Sequence, residues 1–333
     1  MNPLLEKLLQ ERTLEDASLA GENLSGQDLS DCRLSNVVFD RALLNNTRMS
    51  GTEFDHCSFV GANCQSLQAE EVHFLDSSFA GAQCAQSVFT LAVFDRCDLS
   101  RASFAGATLF RTDFNQCTCQ ETDLAQANLT RLMVIETDLS SIRLSGSDLT
   151  QADFVSCQMR GLNFQGCTLT MTQFSASHLE NANFSGQRLD RNQFLNSLLT
   201  GANFSGVRGE YVAFIEAVLE RACFTGAGLR MSDFSAAKLA GSRFDQALLE
   251  QCLFPRADAR LSQWQRARCR RCDFSRARLD HADFSQAILE HCNLHAIGEQ
   301  ETRWGACRFE SVQRTDPVLL RAEEWQYADR QAR

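Results

Sequence analysis

Fifteen cysteines and six histidines are the residues here that could carry metal, redox or nucleophilic chemistry. Cys269-Arg270-Arg271-Cys272 has the CxxC spacing that zinc sites and redox thiols share. No second CxxC and no histidine pair follows it at ligand spacing. His56, His73, His178, His281, His291 and His295 show no spacing that would assemble a triad or a metal site. The glycines are scattered along the chain, whereas a phosphate-cradling loop needs them clustered. The reading is therefore no catalytic residue, no metal and no cofactor.

The placement of the cysteines has another cause, which appears when every fifth residue is read from Leu14. The series Leu14, Leu19, Leu24, Leu29, Leu34, Phe39 runs in one phase to Phe309. Of its 60 positions 47 are Leu or Phe, and all phenylalanines but Phe110 fall on it. The residue two places earlier is Ala, Cys, Ser, Thr or Val in 50 of 60 cases. A helix repeats every 3.6 residues and a strand every 2, so neither gives a period of five. Each five residues therefore point one small and one large side chain inward. Ten cysteines occupy the small inward position and Cys64, Cys84, Cys119 and Cys269 the large one; Cys223 alone lies elsewhere. They read as reduced, buried hydrophobes. Vertical neighbours such as Cys252, Cys272 and Cys292 would have parallel Cβ vectors, which is wrong for disulfides. The histidines fall on outward positions.

Ala152-Asp153-Phe154, Ala182-Asn183-Phe184 and Ala282-Asp283-Phe284 resemble the A(D/N)LXX consensus of the pentapeptide-repeat family. The resemblance spans most of the chain. It implies an all-β fold, a right-handed quadrilateral parallel β-helix with four pentapeptides per coil. Sixty repeats make about 15 coils, or about 70 Å at the spacing of paired strands. The expected boundaries are a capping helix over 1–12, the β-helix over 13–311 and a helical cap over 312–333. Asn2 and Pro3 start the first helix and Asp316-Pro317 the second. Both helices are expected to cover coil edges, which otherwise invite strand pairing. Val318, Ala322 and Trp325 share one face of the second, so a homodimer through it is the rival use.

Large inward residues alternate between Phe and other types from Phe154, through Phe164, Phe174, Phe184, Phe194, Phe204, Phe214, Phe224, Phe234 and Phe244, to Phe254. With 20 residues per coil, this stacks Phe on Phe along two opposite faces. Such a filled interior has no pocket in which to perturb an acid–base pair. Outward, one column reads Glu210, Arg230, Glu250, Arg270, Glu290, an alternation that favours pairing between coils.

The pattern fails at Gly209, at Ala259, Trp264 and Cys269, and at Glu299 and Trp304. Around the middle failure lie eight arginines between Arg256 and Arg278. Residues 251–314 carry 11 basic against 8 acidic side chains, and residues 1–120 carry 8 against 16. Arg260 has Asp280 as vertical neighbour and Arg278 has Asp258. Arg256, Arg266, Arg271 and Arg276 have no acidic one, so with Trp264 and Trp304 they are the candidate partner-binding residues. The tryptophans could equally fill a locally wider core.

The net charge of −10 favours solubility and says little about partners. The first 16 residues lack the apolar stretch of a signal peptide, and no apolar run is long enough to span a membrane. The expectation is a cytoplasmic, non-enzymatic scaffold with a protein partner and no direct nucleic-acid binding. The family resemblance implies two uses. One is an adaptor, including accessory or effector-loading components of bacterial secretion machinery such as type VI systems. The other is a DNA mimic that protects gyrase or topoisomerase IV. An unbroken register and acids often paired with arginines speak against mimicry, and the acidic first 120 residues speak for it.

Overall fold

Each pentapeptide lays down one side of a four-sided turn, so a residue lies beside the one twenty positions later. A computed structural model describes residues 3–331. By Cα proximity the chain divides into two units, Met1–Ala182 and Asn183–Arg333. Both are parallel β-solenoids, with about 15 turns between them.

In the first unit, helix α1 (Pro3–Glu11) precedes eight three-residue strands. These are β1 (Thr13–Glu15), β2 (Arg33–Ser35), β3 (Glu53–Asp55), β4 (His73–Leu75), β5 (Val93–Asp95), β6 (Asp113–Asn115), β7 (Met133–Ile135) and β8 (Asp153–Val155). They pair in chain order, Thr13 with Arg33 and Leu14 with Leu34, at a constant offset of twenty. The other sides of each turn pair as single parallel bridges, such as Ser18 with Val38 and Asn23 with Leu43. Leu5 and Leu8 of α1 are buried at the first turn, as the covering role requires. Asn2, the expected helix cap, lies outside the described residues.

The second unit holds β9 (Arg208–Glu210), β10 (Gly228–Arg230), β11 (Leu248–Glu250), β12 (Arg268–Arg270), β13 (Ile288–Glu290) and β14 (Arg308–Glu310) in one parallel sheet. Helix α2 (Pro317–Gln331) follows, its first turn capped by Asp316 Oδ1, which accepts from the Val318 and Leu319 N–H groups. The face of α2 expected to cover the last turn is exposed at its described positions. Val318, Ala322 and Trp325 are exposed, and Phe309 of the last turn remains 40% exposed. The helix is held instead by a polar contact, described below. Neither helix is long and apolar enough to cross a membrane.

The interior follows the expected columns. Phe184, Phe204, Phe224 and Phe244 stack face to face at 4.7–4.9 Å. Phe194, Phe214, Phe234 and Phe254 do the same at 4.7–4.9 Å. Rings of the two columns meet edge to face, Phe204 against Phe214 at 5.3 Å and 85°. That offset-plus-edge arrangement suits the ring quadrupole. In the first unit the columns Phe39–Phe59–Phe79 and Phe54–Phe74–Phe94 occupy adjacent sides instead.

The corners explain a third regularity of the repeat, that fourteen of the eighteen glycines fall two places after a large inward position. The residue two places after each large inward one takes a left-handed backbone almost throughout, with φ of 71° at Gly21 and 53° at Asn36. Glycine adopts that region freely and asparagine with little strain. Leu91, Met171 and Leu261 hold it too, at φ of 58–60°. There the hydrogen-bonded turns on both sides overrule local preference.

Phe204 and Phe234 are fully buried, so truncating either to alanine should cost about 3–5 kcal/mol. Ala202→Leu should cost about 1–3 kcal/mol through overpacking, and Ser205→Ala, at the surface, no more than about 0.5 kcal/mol. Denaturant melts check the order. Equal effects for Ser205→Ala and Phe204→Ala would mean that inside and outside are reversed.

Candidate protein-binding surface

Thirteen of the fifteen cysteines are buried; Cys223 and Cys307 are partly exposed. The buried thiols donate to backbone carbonyls, as Cys252 Sγ does to Leu229 O at 3.4 Å and Cys272 Sγ to Leu249 O at 3.5 Å. Burial disfavours the thiolate, pushing Cys57 and Cys157 up to about 11 and Cys117 up to about 12. Nucleophilic or ligand chemistry needs the opposite shift, and only Cys292 is moved that way, by its hydrogen bond with the buried Cys272 thiol.

Five histidines are outward as expected, but His295 is not: it is 4% exposed. The cause is α2. His295 Nδ1 accepts the Asp316 N–H at 3.3 Å, and its Nε2 lies 3.3 Å from Glu323 Oε2. Arg276 also pairs with Glu323, whose carboxyl it holds below the usual range by a hydrogen bond. Arg276 is therefore committed to α2, not free for a partner. This contact lay outside the reach of a column reading because Glu323 belongs to no repeat.

A second cluster was missed although its spacing is twenty. His56 Nδ1 lies 2.7 Å from Asp55 Oδ1, and its Nε2 lies 3.9 Å from Asp76 Oδ2. By ligand type these three could hold a cation. However, the Arg96 guanidinium takes both Asp76 oxygens at 2.9 Å and holds that carboxyl below its usual range. The cluster works as one rung of a surface ion-pair ladder.

Of the other candidates, Trp264 is corrected outright. It is buried between Phe244 at 4.1 Å and Phe284 at 5.2 Å, and its Nε1–H donates to Ser262 Oγ at 2.6 Å. It is the larger member of an aromatic column, and the small Ala259 on the preceding side leaves it room. Trp304 is half-buried in the last turn, where the Arg314 guanidinium lies over its ring at 5.4 Å and over Phe309 at 4.6 Å. Arg256, Arg266 and Arg271 are exposed. Arg266 donates to Gln286 Oε1 at 3.0 Å. The side chains of Arg256 and Arg271 make no hydrogen bond or ion pair among the described residues. Arg278 reaches Asp258 at 3.6 Å as expected, whereas Arg260 turns along its own side onto Asp258 at 2.6 Å.

The charged column of the second unit forms as read. Arg230 lies 3.4 Å from Glu210 and 3.9 Å from Glu250; Arg270 lies 3.3 Å from Glu250 and 3.9 Å from Glu290. Beside it runs an open groove of about 410 Å³ over β9–β12, lined among others by Gly209, Gly228, Leu248 and Arg268. Its floor is the backbone of Gly209, Leu229 and Leu249, whose positions belong to the inward register. A Cβ at Gly209 would stand 1.9 Å from the Leu189 carbonyl oxygen, so no side chain fits there.

Comparison with known proteins bears on the fold. The "Pentapeptide repeats (8 copies)" family model matches residues 13–46, 38–74, 77–116, 172–206 and 265–295. The "Pentapeptide repeat region" model matches residues 107–184. No curated protein matches the sequence. Among solved structures, HetL of the cyanobacterium Nostoc sp. strain PCC 7120, a pentapeptide repeat protein involved in heterocyst differentiation regulation, is 19% identical. That match covers 72% of this chain and 94% of HetL, with a TM-score of 0.31. Rfr23 of Cyanothece 51142 is 18% identical over 37% of this chain and 95% of its own, with a TM-score of 0.34. Trypsin-treated QnrB1, a plasmid-mediated fluoroquinolone resistance protein, is 18% identical over 70% and 91%, with a TM-score of 0.32. Likenesses of this size bear on neither partner nor mechanism.

Thiol reactivity checks the interior. With Ellman's reagent at pH 8, the native protein should react at Cys223 and, slowly because partial burial pushes its thiol up to about 11, at Cys307, and all fifteen cysteines should react once it is unfolded. Rapid reaction of any of the thirteen buried thiols in the native protein would show that the interior is open.

Proposed function

The chain belongs to the pentapeptide-repeat family, and on that premise we propose that it is a non-catalytic scaffold that binds another protein through its second unit. The observation that carries this reading is a cluster of arginines without ion pairs in one stretch of the second unit. Arg256, Arg266, Arg268 and Arg271 stand exposed without an ion pair, beside the paired Arg270 and Arg278. Arginine gives planar, multidentate contacts and is enriched at interface hot spots. A repeat solenoid presents such groups at fixed intervals on an extended surface. A role beside secretion machinery is one instance of this reading. The exposed Val318, Ala322 and Trp325 support self-association through α2 as a second contact of the same kind.

Replacing Arg256, Arg266 and Arg271 together with serine leaves the interior intact, so folding should survive. Affinity capture from the native host, read by mass spectrometry, should lose at least one partner protein relative to wild type. Unchanged partners would place the binding surface elsewhere. The acidic surplus of residues 1–120 favours the gyrase-directed reading, so a supercoiling assay belongs beside the capture. Inhibition by the wild-type chain at micromolar concentration would replace the scaffold reading with DNA mimicry.

A further inference from the structure

Resting on the scaffold reading, we infer that the groove over β9–β12 is a docking site for an extended acidic peptide of the partner, with an apolar residue between two carboxylates. Its two walls differ in charge balance. One wall is the ladder from Glu210 to Glu290, in which each arginine lies within 3.9 Å of two glutamates. The other wall reads Arg208, Gly228, Leu248, Arg268 at steps of twenty residues.

At the start of that wall Arg188 is paired with Asp190, but the two arginines further along it have no carboxylate. The Arg208 guanidinium folds across Gly228, which lacks the side chain that would block it, and donates to Gly226 O at 2.8 Å and Val207 O at 2.9 Å. Carbonyl oxygens orient it without neutralising it. Arg268 is exposed and makes no side-chain hydrogen bond or ion pair among the described residues. Between them Leu248 is 51% exposed, a large apolar group in a charged setting. The order along the wall is cation, apolar, cation.

Charge complementarity selects the occupant. Two carboxylates meet Arg208 and Arg268, whose backbones stand three turns apart, or about 14 Å, a span that the lean of Arg208 across Gly228 shortens. An extended chain covers that in about three to four residues. A residue between the two acids then covers Leu248. A nucleic-acid strand fits less well, because its phosphates would face Glu210 and Glu250 on the opposite wall. A peptide places neutral side chains or backbone there.

The test uses the full-length chain and a fluorescein-labelled Glu-Thr-Leu-Thr-Glu peptide, with binding read by anisotropy at low salt. Wild type should bind it. Arg268→Glu should weaken binding at least tenfold, as should replacing both peptide glutamates with glutamine. Leu248→Ser should weaken binding several-fold. Arg41→Glu, an exposed change in the first unit, should leave it unchanged. All three protein variants are at surface positions, and melting curves confirm that they are folded. Equal binding by Arg268→Glu, or no binding by wild type at millimolar peptide, overturns the proposal. So does a single-stranded oligonucleotide that binds the wild type and loses binding in Arg268→Glu. If the peptide fails here while the Arg256, Arg266 and Arg271 variant still loses partners in capture, the scaffold reading stands and the groove assignment falls.

Discussion

Hydrogen bonds between successive turns, at a constant offset of twenty residues, are the constraint on which both units depend. Phe204 N–H donates to Cys223 O at 2.7 Å, and Cys223 N–H donates to Ala202 O at 2.9 Å. The same pair of bonds recurs down each side. They satisfy backbone groups that burial would otherwise leave costly. They also force each side chain to sit beside the one twenty places on. The flat phenylalanine columns, the carbonyl-bound thiols and the alternating glutamates and arginines are three results of that one offset. Left-handed corners at residues other than glycine cost roughly 1–2 kcal/mol each, and these bonds with the buried columns offset them.

Most of the fold was legible because the offset is written in the residue types. Phe on a five-residue register, a small residue two places before and glycine two places after identify interior, packing and corner in turn. The charged column was legible for the same reason, since Glu210 and Arg230 stand twenty apart. His56 and Asp76 are equally legible, since they too stand twenty apart in one column.

What could not be read was set outside the repeat. His295 is buried and Arg276 is committed because Glu323, on a helix that follows the last turn, reaches both. No period connects residue 323 to residues 276 and 295. Trp264 failed for another reason. An indole at a large inward position signals either an exposed anchor or a wider core, and only the volume freed by Ala259 and the acceptor at Ser262 decide between them. The groove was not visible in the sequence. Its character comes from Arg208 folding across Gly228, a rotamer that composition does not encode.

The left-handed corner every five residues has a consequence for how such a chain can change length. A gain or loss of twenty residues inserts or removes one complete turn and returns every later side chain to its old column. A change of five keeps inward residues inward but rotates all that follows by a quarter turn. In the second unit that would set phenylalanine columns on leucine ones and break the run from Glu210 to Glu290. A length change that is not a multiple of five puts a non-corner residue at a corner. Descent in this chain is therefore quantised: duplication of whole turns is the step that conserves both the interior and a surface spelled in charge, and a new binding face can arise by copying a turn and then editing only its outward letters.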